Sequence, residues 1–185
     1  IRRPPRSTQS RSSAASDVYK RQDIRGQAIG GGKIIPEDSD KARSQITRSA
    51  IEDALPTKNP YQLIETLPGV NATSQDATGL FGGTLTIRGF RDDQVGFTID
   101  GAPVNDSGSY RIYPQEYVDP ENLEQIFVTQ GSTDTDAAHI GATGGNVGIV
   151  SSNPRDYFRI KGAQTFGQLN MYKTFVRLDT GKILN

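Results

Sequence analysis

Glycine and proline divide the apolar part of this chain into short runs, and this division limits what the chain can fold into. The 185 residues include 20 glycines and 10 prolines. No apolar run approaches the roughly 18 residues that a membrane-spanning helix needs. Such frequent interruption predicts many turns between short strands and short helices, rather than long helices.

Composition and charge exclude several classes of site and partner. The chain has no cysteine and one histidine, which excludes a disulfide scaffold, a zinc–thiolate site, a thiol nucleophile and a multi-histidine metal centre. Residues 1–22 hold six of the 21 basic and one of the 21 acidic residues, which leaves 15 basic and 20 acidic residues elsewhere. An acidic body does not attract a polyanion, so nucleic acid is not an expected partner.

The N-terminal part of the chain is expected to lie outside the folded domain. Residues 1–22 are basic and serine-rich without apolar periodicity, and they look like a non-native, adapter-derived segment; a basic arm or a transit peptide would have a similar composition. Residues 23–43 contain four glycines and a proline, which predicts a flexible linker. Because the chain begins with Ile1 rather than methionine, its natural N-terminus is expected to lie upstream.

Residues 44–155 have the pattern of a small α+β domain with short strands, short helices and long glycine-rich loops. Asn59-Pro60 predicts a helix start, because asparagine caps a helix and proline fits its first turn, and Pro68-Gly69 predicts the end of that helix. Asp100-Gly101 between apolar segments predicts a tight turn. The predicted strands are 44–48, 85–88, 95–99, 125–129 and 147–151.

Apolar and polar residues alternate along two segments within residues 156–185. Aromatic and aliphatic side chains from Phe158 to Phe166 share one face, with basic side chains on the other, and turns are predicted at residues 167–170 and 179–181. Strands of a transmembrane β-barrel alternate in this way, and so does a hairpin of a soluble sheet. The pattern alone leaves both open, and two strands cannot close a barrel, so the barrel interpretation implies a truncated chain.

Four motifs in sequence order are more specific together than each is alone, because Asp-Gly turns and glycine pairs are common. They are 63–70 (LIETLPGV), 85–90 (LTIRGF), 97–104 (FTIDGAPV), and 123–128 (LEQIFV) with 144–151 (GGNVGIVS). In this order they resemble the plug domain of TonB-dependent outer-membrane receptors. The resemblance covers residues 44–154 and favours the barrel interpretation of the hairpin.

The resemblance implies a fold. Residues 44–155 would form the plug, with a short mixed β-sheet, short helices and long glycine-rich loops, and residues 156–185 would form the first antiparallel strands of the transmembrane barrel. A polar, glycine-rich domain suits a plug that fills a wide pore and is moved by a pull from the periplasm, because hydrated polar contacts rearrange more easily than an apolar interface.

The resemblance also implies roles for particular residues. Arg88, in the IRG motif, would pair with barrel glutamates in a plug–barrel latch, since an arginine fork binds carboxylates bidentately; alternatively, it forms a salt bridge within the plug. Gln130 is neutral where some members carry a second arginine. The candidate ligand-binding residues are Leu80, Phe81, Ser107, Ser109, Tyr110 and Arg111; each could instead fill the lumen or form a turn.

A function follows from the resemblance. The plug would occlude the barrel of a receptor in the bacterial outer membrane and take part in energy-coupled uptake of a nutrient, such as a ferric siderophore. Its partners would be TonB of the inner-membrane complex, its own C-terminal barrel and a small-molecule ligand. No catalytic residue, metal or cofactor is expected. The alternative is a soluble carbohydrate-binding or adhesion module that uses the glycine-rich loops.

Overall fold

The computed structural model describes residues 28–29, 33–34, 42–131, 141–168 and 170–181. The interpretation of residues 1–22 as a non-native segment falls outside these ranges. We call residues 42–151 the sheet domain, and we call the two long strands that follow it the hairpin.

The sheet domain is built on a mixed sheet of seven strands. In spatial order the strands are β1 (Ala28–Ile29), β2 (Lys33–Ile34), β3 (Arg43–Thr47), β9 (Leu123–Gln130), β10 (Gly145–Ser151), β7 (Gly96–Ile99) and β8 (Ala102–Pro103). Strand β7 pairs in parallel with β10, and every other pair in this sheet is antiparallel. The parallel pair arises because the chain leaves the sheet after β8 and returns through β9 before it reaches β10.

A second, antiparallel sheet and short helical segments complete the sheet domain. The second sheet has three strands, β4 (Val70–Ser74), β5 (Gly83–Ile87) and β6 (Phe90–Arg91). The helical segments are α1 (Arg48–Asp53), α2 (Pro60–Ile64), α3 (Pro114–Tyr117) and two 3-10 turns, Asp92–Gln94 and Pro120–Asn122.

Helix α2 begins where the sequence predicts. The side chain of Asn59 accepts a hydrogen bond from the backbone N–H of Gln62 at 3.0 Å, and the side chain of Gln62 accepts one from the N–H of Asn59 at 3.0 Å. This reciprocal pair is a capping box, with Pro60 at the first helical position. The helix ends at Ile64, earlier than the Pro68-Gly69 signal predicts, although Leu67 is still buried.

The apolar core lies between the large sheet, the small sheet and helices α1 and α2. The alternation in β9 buries Ile126 and Val128 on one face and leaves Phe127 half-buried on the other. Tyr61 is 1% exposed and packs its ring 5.9 Å from that of Phe97, measured between centroids. Other core members are Ile46, Ile51, Leu63, Ile64, Leu67, Leu85, Ile87, Val95, Leu123, Val147 and Ile149.

The glycine pair of the fourth motif sits where no side chain fits. Gly145 has φ +128, and a Cβ atom there would collide with the carbonyl oxygen of Thr129 on the neighbouring strand. A Cβ on Gly144 would collide with the side chain of Phe90. Strands β9 and β10 approach so closely at this point that only glycine satisfies both the conformation and the space.

The hairpin consists of strands β11 (Phe158–Phe166) and β12 (Tyr172–Thr180), paired antiparallel in continuous register. Its predicted first turn, at 167–170, is where the chain reverses. The second predicted turn, at 179–181, is wrong at its start, because Asp179 and Thr180 still pair with β11. The strand continues because β11 offers Asp179 and Thr180 the backbone partners Arg159 and Phe158. Asp179 is buried there and pairs with Arg177 at 2.9 Å.

The linker prediction for residues 23–43 also differs from the structure at several residues. Strands β1 and β2 pair with each other, and β2 adds to β3, which begins at Arg43. Backbone hydrogen bonding to the open edge of the sheet orders these residues, and glycine content in the sequence does not reveal that edge. The domain boundaries at 43/44 and 155/156 stay predictions.

Candidate ligand-binding and latch sites

Loop A, residues 75–82, connects β4 to β5 and folds around the carboxylate of Asp76. That carboxylate accepts hydrogen bonds from the backbone N–H groups of Thr78 at 3.1 Å, Leu80 at 3.2 Å and Phe81 at 3.2 Å, and from the Thr78 hydroxyl. Desolvation by itself raises the pKa of Asp76, but these hydrogen bonds outweigh it and hold the pKa below its ordinary value. The ionised carboxylate therefore fixes the shape of the loop.

Loop A is tied to the capped end of helix α2, yet its two large apolar side chains stay in solvent. Gln62 donates to the carbonyl of Asp76 at 3.1 Å, and Asn59 donates to the carbonyl of Phe81 at 3.4 Å. Leu80 and Phe81 are nevertheless 69% and 63% exposed. An exposed leucine and phenylalanine side by side on an ordered loop form a surface suited to contact with another molecule.

Loop B, residues 105–111, follows β8 and is also organised by an aspartate. Asp106 accepts hydrogen bonds from the N–H groups of Gly108 at 3.0 Å and Ser109 at 2.6 Å, and from the Ser109 hydroxyl at 2.9 Å. The bonds from Ser109 and then Gly108 lower the pKa of Asp106 below its ordinary value. The hydroxyl of Ser109 thus donates its hydrogen bond within the loop itself, whereas the side chains of Ser107 and Tyr110 are exposed.

Arg111 lies at the edge of a cavity that loops A and B share. Its guanidinium Nε is 3.6 Å from Oδ1 of Asp92, whose side chain is 8% exposed, while that of Arg111 is 41% exposed. We call this space, of about 310 Å³, the loop cavity. Residues that line it include Gln75, Gly82 and Thr84 from the β4–β5 region, and Ile112 and Tyr113 from the chain after loop B.

A second, larger space of about 410 Å³ lies where the sheet domain meets the hairpin, and we call it the seam cavity. Leu80 of loop A, Tyr117 of α3 and Lys173 of β12 contribute to its lining. Gln115 lines both cavities, and its buried Oε1 has no hydrogen-bond partner among the residues described. The two cavities therefore meet at a side chain with an unused acceptor.

The structure brings some of the predicted ligand residues together and separates others. Leu80 lines the seam cavity, Arg111 lines the loop cavity, and Gln115 lines both. Phe81, Ser107, Ser109 and Tyr110 line neither cavity, and Ser109 is engaged with its own loop. Sequence reasoning did not find Gln115, because nothing in the local pattern distinguishes it from a surface glutamine.

Arg88 lies at the end of β5 opposite loop A. It is exposed, its backbone has φ +50, and its N–H donates to the carbonyl of Gly69 at 2.8 Å. Its side chain passes over Gly69 and Gly131, close enough that a Cβ on either glycine would touch it. Gln130 lies beside it and donates to the carbonyl of Pro68. Within the described ranges Arg88 forms no ion pair with a residue of the sheet domain.

The inner face of the hairpin carries cations that bind the sheet domain and the segment that joins it to the hairpin. Lys161 of β11 lies 3.1 Å from Glu52 of α1. Arg177 of β12 donates to the hydroxyl of Ser152, to its carbonyl at 3.3 Å and to the carbonyl of Asn153 at 3.1 Å. The outer face holds large apolar side chains that are 58% to 70% exposed: Phe158, Ile160, Phe166, Tyr172, Val176 and Leu178.

Two features are absent from the described part of the chain. No group of three or more histidine, cysteine, aspartate or glutamate residues is arranged to hold a metal ion there. None of the helices described is long and apolar enough to cross a membrane.

Solved structures that share the fold include those of outer-membrane receptors. The pyoverdine outer-membrane receptor FpvA of Pseudomonas aeruginosa superimposes with a TM-score of 0.62 over 78% of this chain and 20% of that one, at 18% identity. The ferric-catecholate import receptor Fiu of Escherichia coli K12 gives a TM-score of 0.57 over 76% of this chain and 19% of that one, at 22% identity.

The sequence identifies the family. Residues 36–146 match the model of the TonB-dependent Receptor Plug Domain, and the chain belongs to this family. The ferric enterobactin receptor PirA of P. aeruginosa is 32% identical over 135 residues, 66% of this chain, and a second ferric enterobactin receptor of that organism is 29% identical over 143 residues, 71% of this chain. The chain spans 18% of the length of each of these two relatives.

These comparisons confirm the predicted fold class and family. The sheet domain is the plug, and from here on we use that name. The family is one of receptors rather than of enzymes, and several of its relatives are named as outer-membrane receptors.

Proposed function

We propose that this chain is the plug and first barrel hairpin of an outer-membrane receptor that takes up a small nutrient, such as a ferric siderophore, with energy delivered through TonB. The observation that carries this proposal is membership of the plug family over residues 36–146. The relatives named for ferric enterobactin and pyoverdine support a siderophore as the ligand. The receptor would bind and release its ligand unchanged, so no residue is given a catalytic role.

Loops A and B are the proposed ligand face. Leu80, Phe81 and Tyr110 are 69%, 63% and 51% exposed, and Arg111 supplies a cation at the shared cavity. Apolar and aromatic surface beside a guanidinium suits a ligand with both an apolar or aromatic part and anionic oxygens. The unused Oε1 of Gln115 would accept a hydrogen bond from a donor of that ligand or from water.

The hairpin is proposed to lie in the outer membrane with its apolar face toward lipid. Each strand has nine residues, which reaches the length of about 9–11 residues that a tilted transmembrane β-strand needs. Aromatic residues flank both ends of this face: Tyr157 and Phe158 at one end, Phe166 and Tyr172 at the other. That distribution favours a membrane strand pair over a hairpin of a soluble sheet.

Arg88 is the proposed latch residue between plug and barrel. Its exposure, together with the absence of an ion pair in the described ranges, leaves the guanidinium available to a carboxylate of the barrel wall. The neutral Gln130 beside it favours a latch with one arginine rather than two. The soluble carbohydrate-binding or adhesion alternative is not favoured, because the chain belongs to the plug family.

Uptake by the complete receptor tests the proposal. A strain that lacks its other iron receptors would be starved of iron and supplied with single ferric siderophores, and growth would be measured with and without a working TonB. We expect TonB-dependent growth on at least one catecholate or pyoverdine-type complex. Replacing both Leu80 and Phe81 with alanine should weaken binding of that complex by about tenfold, because two exposed apolar contacts are lost.

Leu55→Ala is the matched control, since Leu55 is 63% exposed but lies in neither loop nor cavity. It should leave affinity unchanged. TonB-independent growth on every complex supplied would refute coupled uptake, and equal effects of the Leu55 and Leu80/Phe81 substitutions would refute the assignment of the ligand face.

A further inference from the structure

Lys173 of β12 uses all three donors of its ammonium group on the plug. Its Nζ donates to the carbonyl of Pro56 at 2.5 Å, to Asp119 Oδ1 at 2.9 Å and to Glu121 Oε2 at 2.7 Å. An ammonium group has three N–H bonds and no acceptor, so the plug satisfies it completely. A lysine held in this way is fixed in position, unlike a surface lysine that samples many rotamers.

The two carboxylate acceptors lie close together in the plug sequence, and Asp119, with 40% of its side chain exposed, is more accessible to water than Glu121. Asp119 and Glu121 flank Pro120, the first residue of the 3-10 turn that leads into β9. The side chains of Glu121 and Lys173 are 11% and 23% exposed. Desolvation and a hydrogen bond to Asp119 raise the pKa of Glu121. Asp119 has a lowered pKa, because the hydrogen bonds that it accepts from Glu121 and Lys173 outweigh its desolvation.

A second contact across the same boundary has the same polarity. Lys161 of β11 pairs with Glu52, and Arg48 holds Glu52 from the plug side at 3.0 Å while also pairing with Glu124 at 3.2 Å. In both contacts the cation belongs to the hairpin and the carboxylate to the plug. This polarity is opposite to that of the proposed Arg88 latch, in which the plug supplies the cation.

We propose that Lys173, gripped by Asp119, Glu121 and the Pro56 carbonyl, is the central contact of an ionic clamp that holds the plug against the first hairpin. The clamp sets how readily plug and hairpin separate, and Lys161–Glu52 is its second contact. This inference rests on the proposed function only in taking the plug as a part that moves relative to the hairpin. It differs from the latch in residues, in location and in the direction of its charges.

An ionic clamp suits a boundary that has to open and close. When the clamp opens, water solvates the separated charges. Opening a purely apolar interface would instead expose apolar surface to water, which is unfavourable. Phe175, 7% exposed on the same inner face, is the one large apolar side chain among the hairpin's described inward residues. Separation is therefore expected to depend on ionic strength, because salt screens partly exposed pairs.

The clamp can be tested without ligand and without TonB. The 185 residues contain no cysteine, so a cysteine in place of Ala163, half-buried on the inner face of β11, would report separation of plug and hairpin in the purified complete receptor. The rate of maleimide labelling at this site is the measurement. Lys173→Met keeps the length of the side chain and removes the charge, and Lys173→Arg keeps the charge.

We expect Lys173→Met to raise the labelling rate by roughly tenfold, because it leaves the largely buried carboxyl group of Glu121 and the partly exposed one of Asp119 without their cation. The double substitution Asp119→Asn with Glu121→Gln should act in the same direction, and Lys173→Arg should restore most of the protection. Lys58→Met is the matched control, since Lys58 lines the same cavity but pairs with Glu65 inside the plug at 3.6 Å. High salt should reduce the difference in labelling rate between the wild type and Lys173→Met.

Labelling rates that stay equal in the wild type, Lys173→Met and the Asp119/Glu121 double variant would overturn the clamp. An equal rise in the labelling rate of Lys58→Met and Lys173→Met would also overturn it, because that result would indicate general loosening of the plug. A failure of siderophore uptake with the labelling differences intact would remove the proposed function and leave the clamp standing.

Discussion

The capping box of helix α2 also anchors the proposed ligand loop, so replacing Asn59 with alanine should affect both stability and loop A. Asn59 is 3% exposed. Its side chain accepts from the N–H of Gln62 at 3.0 Å and donates to the carbonyl of Phe81 at 3.4 Å. Alanine removes both contacts and leaves a buried backbone donor at Gln62 without its acceptor.

The expected loss in the free energy of unfolding is about 2 kcal/mol. Loss of an asparagine N-cap costs about 0.5–2 kcal/mol, and the upper end of this range applies because the N–H of Gln62 that loses its acceptor is buried. The long hydrogen bond to Phe81 adds little. A change of about 2 kcal/mol lowers the ratio of folded to unfolded molecules by roughly thirtyfold.

Urea unfolding of the receptor, followed by circular dichroism, measures the stability change, and amide hydrogen exchange at Leu80 and Phe81 measures the effect on loop A. Asn59→Ser should retain most of the stability, since serine also caps. Asn71→Ala, at an exposed asparagine of β4, should change stability by less than about 0.5 kcal/mol. A loss below about 0.5 kcal/mol in Asn59→Ala, with unchanged exchange in loop A, would refute the reasoning.

Two further predictions concern the close contact of β9 with β10 and the acid stability of loop A. Gly145→Ala should destabilise the plug by about 3 kcal/mol in urea unfolding, because it combines a positive φ with a collision at the Thr129 carbonyl. The control is Gly89→Ala, at a residue with φ +88 and open space around it, which should cost about 1 kcal/mol. Equal losses of unfolding free energy in Gly145→Ala and Gly89→Ala would contradict the role of the collision. Asp76 has a lowered pKa in the folded state, so its contribution is present above its unfolded value of 3.8 and is lost as pH falls through the folded pKa. The stability difference between the wild type and Asp76→Asn, measured against pH, should therefore shrink below pH 3.8, and a difference that does not change with pH would contradict it.

Local signals in the sequence predict the corresponding parts of the structure well. The Asn59-Pro60 helix start and the Asp100-Gly101 turn are both present. The alternation of β11 and β12 gives one exposed apolar face and one inner face, as the pattern predicts. Each of these features depends on residues that are close in the chain, so the residue types carry the information directly.

Errors arise where a distant segment changes the outcome. The second turn of the hairpin begins later than predicted, because Asp179 and Thr180 pair with β11. Strands β1 and β2 occupy part of the predicted linker, because β3 offers them an open edge.

The sequence by itself determined the family of this protein, its class of fold and the two loops that we propose to meet the ligand. Only the tertiary structure decided that Gln115 lies between two cavities and that Lys173 meets Asp119 and Glu121, more than fifty residues away along the chain. The physical reason is that turns, caps and alternation arise from neighbouring residues. Ion pairs and cavities arise from segments that meet only after the sheet has set their register.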